Sequence, residues 1–241
     1  HIAGPGPDVD YSLVHDNIVG EYYYIATALV SPTAEKLKHP LIEVGTCKGR
    51  VLVDSKYQPP FDAFAEYDPS QNRVDDLTRD ESFSLARWVW SDGKKLRDVT
   101  VQCKDGKRRP VAWRVVPADF IDLKTGTGIV HIAPAYGEDD FDLLQRLRDQ
   151  VAEAEVSWPW LPLLNAVLPN GDFGAIAGKR YEGRWVKACD KEIMQELKGR
   201  GVLLHQETIE HEYPFCPRAE DDPLIQYARK SWFVRTSQFK E

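Results

Sequence analysis

The stretch Gly126-Thr-Gly-Ile-Val-His-Ile-Ala-Pro-Ala-Tyr-Gly-Glu-Asp-Asp-Phe141 decides the fold around it. Its two glycines allow the backbone to approach a neighbouring group closely. Residues 128–133 are typical of a buried strand, and residues 133–137 are typical of a loop. Over residues 138–150 the apolar side chains recur at helical spacing. The stretch therefore predicts a strand, a loop and a helix in that order.

The polar residues of this stretch indicate a small pocket. His131 comes before the loop, whereas Glu138, Asp139 and Asp140 fall in the predicted first helical turn. Such groups on either side of one loop can form a polar wall and an anionic anchor. Two structural alternatives stay open: Glu138 or Asp139 can cap the helix, and a single strand histidine is more often structural. A metal site of His131, Asp139 and Asp140 is disfavoured, because the three lie too close in sequence to chelate easily.

The composition is that of a globular chain with an acidic balance. Of its 241 residues 42% are hydrophobic, which is enough to bury a core. The 31 basic and 38 acidic residues give a net charge of −7, whereas dedicated nucleic-acid binders are usually basic. Any contact with RNA is therefore expected from a local basic patch or from another part of a larger protein.

Targeting and cysteine signals favour a cytoplasmic location. No apolar run approaches the roughly 18 residues of a membrane span, and residues 1–7 lack the character of a signal peptide. The four cysteines, at positions 47, 103, 189 and 216, are far apart and form no CxxC pair. We therefore expect a reducing compartment, with neither a disulfide framework nor a zinc site.

Outside the central stretch the sequence predicts mostly short strands. Helices are expected over residues 32–38 and 185–198, and Asp105 followed by Gly106 indicates a hairpin. Further strands are expected over residues 22–26, 44–53, 86–90, 99–102, 111–121, 161–167 and 202–205. The predicted fold class is α+β, mainly β, with a β-barrel decorated by a few helices.

The stretch 126–141 resembles the editing-site motif of isoleucyl-tRNA synthetases. The sister valyl- and leucyl-tRNA synthetases share its Gly-Thr-Gly part and the following aspartate. The isoleucine enzymes differ from both by a histidine where this chain has His131. Residues 198–204, 211–218 and 230–235 resemble later parts of the same family in the same order. The resemblance covers residues 8–241, with a poor match over residues 66–111.

The resemblance implies hydrolytic proofreading, which is the deacylation of valine-charged tRNA(Ile), with valyl-adenylate as a further candidate substrate. It implies that Asp140 binds the α-ammonium group of the substrate. It also implies that His131 lines the side-chain pocket and helps to exclude isoleucine, and that water is the nucleophile. The pocket wall and the contacts to the terminal adenosine are assigned to Thr127, Gly128, Ala133, Pro134 and Tyr136.

The resemblance also implies a domain division and a set of partners. Residues 1–210 would form the editing domain, with residues 66–111 as a variable hairpin insertion, and residues 211–241 would lead back toward the synthetic domain. The editing reaction needs no cofactor, whereas ATP and Mg²⁺ belong to the parent enzyme's synthetic site, outside this chain. The implied partners are the tRNA(Ile) acceptor end, the valine moiety and the rest of the synthetase in cis. A cytoplasmic monomer without membrane contact is expected.

One departure from the family leaves two functional alternatives open. The threonine-rich peptide that forms one wall of the editing pocket in this family is absent before Asp8. A catalytically silent RNA- or protein-binding form of the same fold is therefore one alternative. A free-standing trans-editing hydrolase is the other, although residues 231–240 resemble a linker into a synthetic domain.

A basic cluster between residues 94 and 109 has two interpretations. The functional interpretation is a contact to the tRNA backbone. The favoured structural one is a solvated hairpin, because Asp92, Asp98 and Asp105 lie nearby in sequence. Trp88 and Trp90 in the same region are expected to pack rather than to stack on bases. The basic residues are Lys94, Lys95, Arg97, Lys104, Lys107, Arg108 and Arg109.

Overall fold

The computed structural model of the chain describes residues 4–61, 63, 100–152, 163, 165–208, 215–216, 219–225, 234 and 236. Within these ranges the helices are α1 (Val30–Leu37), α2 (Glu138–Asp149) and α3 (Val186–Gly199). The strands are β1 (Asp10–Asp16), β2 (Glu21–Ala26), β3 (Ile42–Lys48), β4 (Thr100–Gln102), β5 (Arg108–Pro110), β6 (Phe215–Cys216) and β7 (Ala219–Pro223). No helix in the described ranges is long and apolar enough to cross a membrane.

The first hydrophobic core is built on an antiparallel sheet with the strand order β2-β1-β3. Tyr11, Val14 and Ile25 are fully buried in this core. The pairing of β1 with β3 shifts between Leu13 and Val14, which is a β-bulge and increases the local twist. Of the bent strand expected over residues 44–53, residues 44–48 belong to β3, whereas Gly49–Val51 form a short 3-10 turn.

The strands β4 and β5 form the hairpin expected from the Asp-Gly signal. Thr100 pairs with Pro110 in this antiparallel ladder, and Gly106 takes a φ of 81° in the turn. The backbone N–H of Cys103 donates to the carbonyl oxygen of Lys107 at 2.8 Å and closes the turn. Glycine is favoured at position 106 because a side chain there would strain the left-handed backbone.

The second core lies under helix α2. Its residues Leu143, Leu144 and Leu147 are buried together with Val116 and Ile132. Burying each leucine contributes roughly 2 kcal/mol by its apolar area. A helix of twelve residues is marginal in water, so packing against this core is what makes α2 stable.

The described residues confirm the predicted helices and correct three predicted strands. Residues 128–133 are irregular rather than a strand, because Gly126 and Gly128 both have positive φ angles and turn the chain. Residues 111–121 show isolated bridges instead of a strand, among them the bridge from Arg114 to Lys56, and residues 202–205 are irregular after Gly201. The predicted strand over residues 86–90 lies outside the described residues, as do positions 161, 162 and 164 of the strand expected over 161–167.

The architecture is a mixed α and β fold with small antiparallel sheets. Within the described ranges these sheets have three, two and two strands, and none of them closes on itself. The α+β assignment is therefore compatible with the structure, while the barrel stays a prediction.

Candidate active site

The Gly126–Gly128 turn lies against the end of the first sheet. The N–H of Ala26 donates to the Thr127 carbonyl oxygen at 2.8 Å, and the Tyr11 hydroxyl donates to the Gly128 carbonyl oxygen at 2.6 Å. A Cβ added to Gly128 would lie 2.5 Å from the Cβ of Ala26. The glycines predict that the backbone comes close to another group. At Gly128 this group is Ala26 at the end of the protein's own sheet.

The carboxylate of Asp140 folds back onto the loop that precedes helix α2. Its Oδ2 accepts a hydrogen bond from the N–H of Ala133 at 2.9 Å. Gly137 directly precedes the helix with extended backbone, and a Cβ there would lie 2.9 Å from the same oxygen. Glu138 and Asp139 are exposed in the same turn. We name residues 131–140 the helix-start loop. Of its three acidic side chains, that of Asp140 turns back toward the loop backbone.

His131 lies at the beginning of the helix-start loop. The neighbouring Ile132 is 1% exposed and fixes this position to the second core. Part of the His131 surface is exposed, yet the protein around the imidazole removes enough water to lower its pKa below the usual range. The negative charge of Asp140 acts in the opposite direction on this pKa. The imidazole is therefore close enough to the carboxylate to feel its charge and is held toward the neutral form.

Tyr136 fixes the other end of the loop. Its hydroxyl donates to Asn165 Oδ1 and accepts the N–H of Ala166, both at 2.9 Å. Its backbone N–H donates to the Ala133 carbonyl oxygen at 2.9 Å, which closes a turn around Pro134. The Tyr136 side chain therefore has a clear structural function in holding the loop.

The structure thus brings His131, Ala133 and Asp140 together, and Thr127 and Gly128 form the preceding turn. No group of three or more histidine, cysteine or acidic side chains that could hold a metal ion occurs among the described residues. The arrangement offers a fixed carboxylate, an imidazole held toward its neutral form and a rigid backbone wall. A fixed carboxylate of this kind can bind a cation by charge-assisted hydrogen bonds.

Comparison with known proteins finds isoleucine–tRNA ligases. The ligase of Bdellovibrio bacteriovorus is 31% identical over 236 residues, which is 98% of this chain. This chain belongs to the isoleucine–tRNA ligase family. The Chlamydia abortus ligase is 27% identical over 98% of the chain, and isoleucine–tRNA ligase 2 of Bacillus thuringiensis is 40% identical over 54% of it.

The relationship covers nearly all of this chain but only part of each isoleucine–tRNA ligase. The chain spans 17% of the length of the Bdellovibrio and Chlamydia ligases and 11% of the Bacillus ligase. No protein-family model matches the chain. The geometry of the site, rather than the family name, therefore has to indicate which reaction this segment of a ligase serves.

The arginines of the basic hairpin in this ligase segment bind groups of the chain itself. Arg109 binds Asp105 through two hydrogen bonds of 2.8 and 2.7 Å and also binds Asp54 at 2.8 Å. The buried Arg114 binds the other oxygen of Asp54 at 2.7 Å. We name these four residues the hairpin junction. Arg108 binds Thr100 across the hairpin. These contacts favour the structural interpretation for Arg108 and Arg109, while Lys94, Lys95 and Arg97 lie outside the described residues.

Several of the later motifs that resemble the isoleucine enzymes include residues that the structure does not describe. Residues 211–214, 217–218 and 230–233 lie outside the described residues.

The structure adds a polar cluster that sequence reasoning missed. The side chains of Ser12, Thr27 and Glu43 are joined by hydrogen bonds at one end of the first sheet. Their separations of 15 and 31 residues follow no motif, so only the pairing of the strands could have revealed the cluster.

Proposed function

We propose that this segment of an isoleucine–tRNA ligase hydrolyses valine from mischarged tRNA(Ile). The observation that carries the proposal is the hydrogen bond from the Ala133 N–H to Asp140 Oδ2. It fixes a carboxylate beside the loop that carries His131. The proposal assigns residues 1–210 to the hydrolytic unit and residues 211–241 to the connection toward the synthetic domain. It requires no cofactor for the hydrolysis.

The carboxylate of Asp140 would hold the aminoacyl end of the substrate. Its Oδ2 is oriented by the Ala133 N–H, which leaves Oδ1 to accept a hydrogen bond from the α-ammonium group. A charge-assisted hydrogen bond of this kind is stronger than a neutral one and fixes the ester carbonyl relative to the loop. Water then attacks this carbonyl, the bond to the ribose oxygen breaks, and valine and free tRNA leave. Positioning of this kind can supply much of a hydrolytic rate.

The imidazole of His131 would limit the size of the side chain that fits. An imidazole held neutral can pack beside valine without the cost of burying a charge, and burial lowers the pKa of His131 in the required direction. One methylene is worth only about 1–3 kcal/mol in a binding pocket, a limit for which isoleucyl-tRNA synthetase is the standard example. A second, smaller pocket therefore complements the synthetic site by accepting valine and rejecting isoleucine.

Replacing Asp140 tests the proposal. In the full-length ligase carrying this sequence, Asp140→Ala should lower the hydrolysis of Val-tRNA(Ile) about 100-fold, because the ammonium loses its anionic partner. Asp139→Ala is the matched control, since Asp139 lies one residue earlier in the same helical turn and is exposed. Deacylation is measured with preformed Val-tRNA(Ile), and aminoacylation with isoleucine checks that the enzyme is folded. Equal deacylation by the wild type and Asp140→Ala would contradict the proposal.

A further inference from the structure

Three polar side chains form a hydrogen-bonded chain at the end of strand β2. Ser12 on β1 is fully buried, and its Oγ lies 2.9 Å from Thr27 Oγ1 and 2.6 Å from Glu43 Oε2. Thr27 and Glu43 are exposed at either side of it. The buried Ser12 hydroxyl therefore connects the Glu43 carboxylate to the Thr27 hydroxyl and is itself shielded from water.

The chemistry of the carboxylate fixes the direction of these hydrogen bonds. An ionised carboxylate only accepts, so Ser12 donates its single hydroxyl proton to Glu43. Ser12 can then only accept from Thr27, and the Thr27 proton is committed to the Ser12 oxygen. The exposed side of the Thr27 oxygen therefore presents lone pairs and no proton. Thr27 is an oriented hydrogen-bond acceptor.

Thr27 lies next to the turn that opens the candidate site. It directly follows Ala26, whose N–H donates to the Thr127 carbonyl oxygen at 2.8 Å. Gly128 packs on the same alanine, since a Cβ at Gly128 would lie 2.5 Å from the Ala26 Cβ. The Thr27 hydroxyl is thus one residue away from the backbone contact that joins the sheet to the site. The resemblance to the isoleucine enzymes implies that Thr127 and Gly128 of this turn approach the terminal adenosine.

We propose that Thr27 binds the substrate by accepting a hydrogen bond from the free ribose hydroxyl of the terminal adenosine. This inference rests on the proposed function of the site. A ribose hydroxyl is a neutral donor that matches a neutral acceptor, whereas the α-ammonium group is better matched by the carboxylate of Asp140. Ser12 and Glu43 are positioning residues, because they act by orienting the Thr27 hydroxyl. No residue of this chain forms a covalent bond in this role.

The test combines a change in the protein with a change in the substrate. Thr27→Val keeps the shape of the side chain and removes the acceptor, and it should lower the deacylation of Val-tRNA(Ile) about tenfold. The matched control is Thr46→Val, because Thr46 is exposed on the same sheet directly opposite Ser12. Each enzyme is assayed with tRNA ending in adenosine, 2′-deoxyadenosine or 3′-deoxyadenosine. The effect of Thr27→Val should persist on tRNA ending in adenosine and disappear on both deoxy substrates, because the single hydroxyl that each of them keeps carries the valine ester.

The outcomes separate this inference from the proposed function. Equal loss with Thr27→Val on all three substrates, or no loss relative to Thr46→Val, overturns the assignment of Thr27. Asp140→Ala assayed in parallel reports on the proposed function alone, since retained activity there contradicts the hydrolytic role whatever Thr27 does. Thr27→Ser should restore the wild-type rate, because it returns the acceptor. A rate that stays low in Thr27→Ser also overturns the inference, provided that thermal melting shows the variant to be folded.

Discussion

The hairpin junction and the helix-start loop use their charged groups in opposite ways. In the junction, Asp54 and Asp105 face Arg109 and Arg114, and each carboxylate is paired with a guanidinium at 2.7–2.8 Å. In the loop, Asp140 accepts one backbone N–H, and no ion pair to it occurs among the described residues. Both regions are tied to buried core residues, so the difference lies in the pairing of charge.

This difference indicates which region is architecture and which is a site. A buried guanidinium that is paired with a carboxylate holds two segments together, and its partner stays committed to that pair. A carboxylate fixed by a neutral N–H keeps its full charge and one oxygen for a ligand. Changes in the junction should therefore affect folding more than hydrolysis, and changes in the loop should affect hydrolysis more than folding.

The largest expected effect on folding comes from removing the charge of Asp54. Asp54→Asn should lower the free energy of unfolding by about 2–4 kcal/mol, because Arg114 stays buried without its counter-ion. Asparagine tolerates the left-handed backbone that Asp54 adopts at a φ of 68°, so the loss reports on charge rather than on strain. Chemical denaturation at neutral pH measures it. The deacylation rate of the folded variant should match that of the wild type.

An exposed ion pair provides the control for Asp54. Asp119 pairs with Arg146 at 2.8 Å, but the two side chains are 71% and 48% exposed. Solvent screens such a pair, so Asp119→Asn should leave the free energy of unfolding almost unchanged. An equal loss in both variants, or a hydrolytic defect confined to Asp54→Asn, would contradict the separation of the two regions.

A smaller effect is expected when His131 is replaced. His131→Ala should increase the hydrolysis of Ile-tRNA(Ile) about tenfold, because the enlarged pocket admits the additional methylene. His205→Ala is a suitable control, since His205 lies in the irregular segment after helix α3. The measurement compares hydrolysis of Ile-tRNA(Ile) and Val-tRNA(Ile) by each enzyme. If the ratio of the two rates is the same in His131→Ala and the wild type, His131 does not select by size.

Local patterns predicted much of this architecture. The helical spacing over 138–150 matches α2, and Asp105 with Gly106 matches the hairpin turn, because both signals depend on neighbouring residues. The strand expected at 128–133 was wrong, since a hydrogen bond from Tyr11, 117 residues away, holds Gly128 in a turn. The junction shows the same limit, because its Asp54–Arg114 pair spans 60 residues. Such contacts depend on tertiary packing, which a single sequence does not encode locally.

The candidate site was only partly accessible to the same reasoning. The proximity of His131 and Asp140 follows from a short loop between a histidine and a helix start, so a motif can indicate it. The Ser12–Thr27–Glu43 chain depends on the register of three strands and on a bulge. A change of one residue in that register would turn Ser12 to the other face of the sheet. The sequence therefore indicated the local contacts of the helix-start loop but not the polar chain built from separate strands.

The two regions should also respond to acid in different pH ranges, and this is the smallest effect. Hydrogen bonds from Arg109 and from the Lys107 N–H hold the pKa of Asp105 well below its usual range. Its contribution to stability is thus complete above the unfolded pKa of about 4 and is lost as the pH falls through the lower folded pKa. Burial lowers the pKa of His131, so the unfolded chain binds that proton more readily. Stability is then lost as the pH falls below the ordinary histidine value of about 6.5.

Two variants separate these pH ranges. His131→Gln should flatten the dependence of the free energy of unfolding on pH between about 7 and 5 and leave the acid limb unchanged. Asp105→Asn should flatten only the limb below about pH 4, and by a small amount because Asp105 is exposed to screening by solvent. Denaturation curves at a series of pH values measure both. If His131→Gln changed the stability below about pH 4, or Asp105→Asn changed it between about pH 7 and 5, the loop and the junction would titrate as one unit. Their separation by charge pairing would then be contradicted.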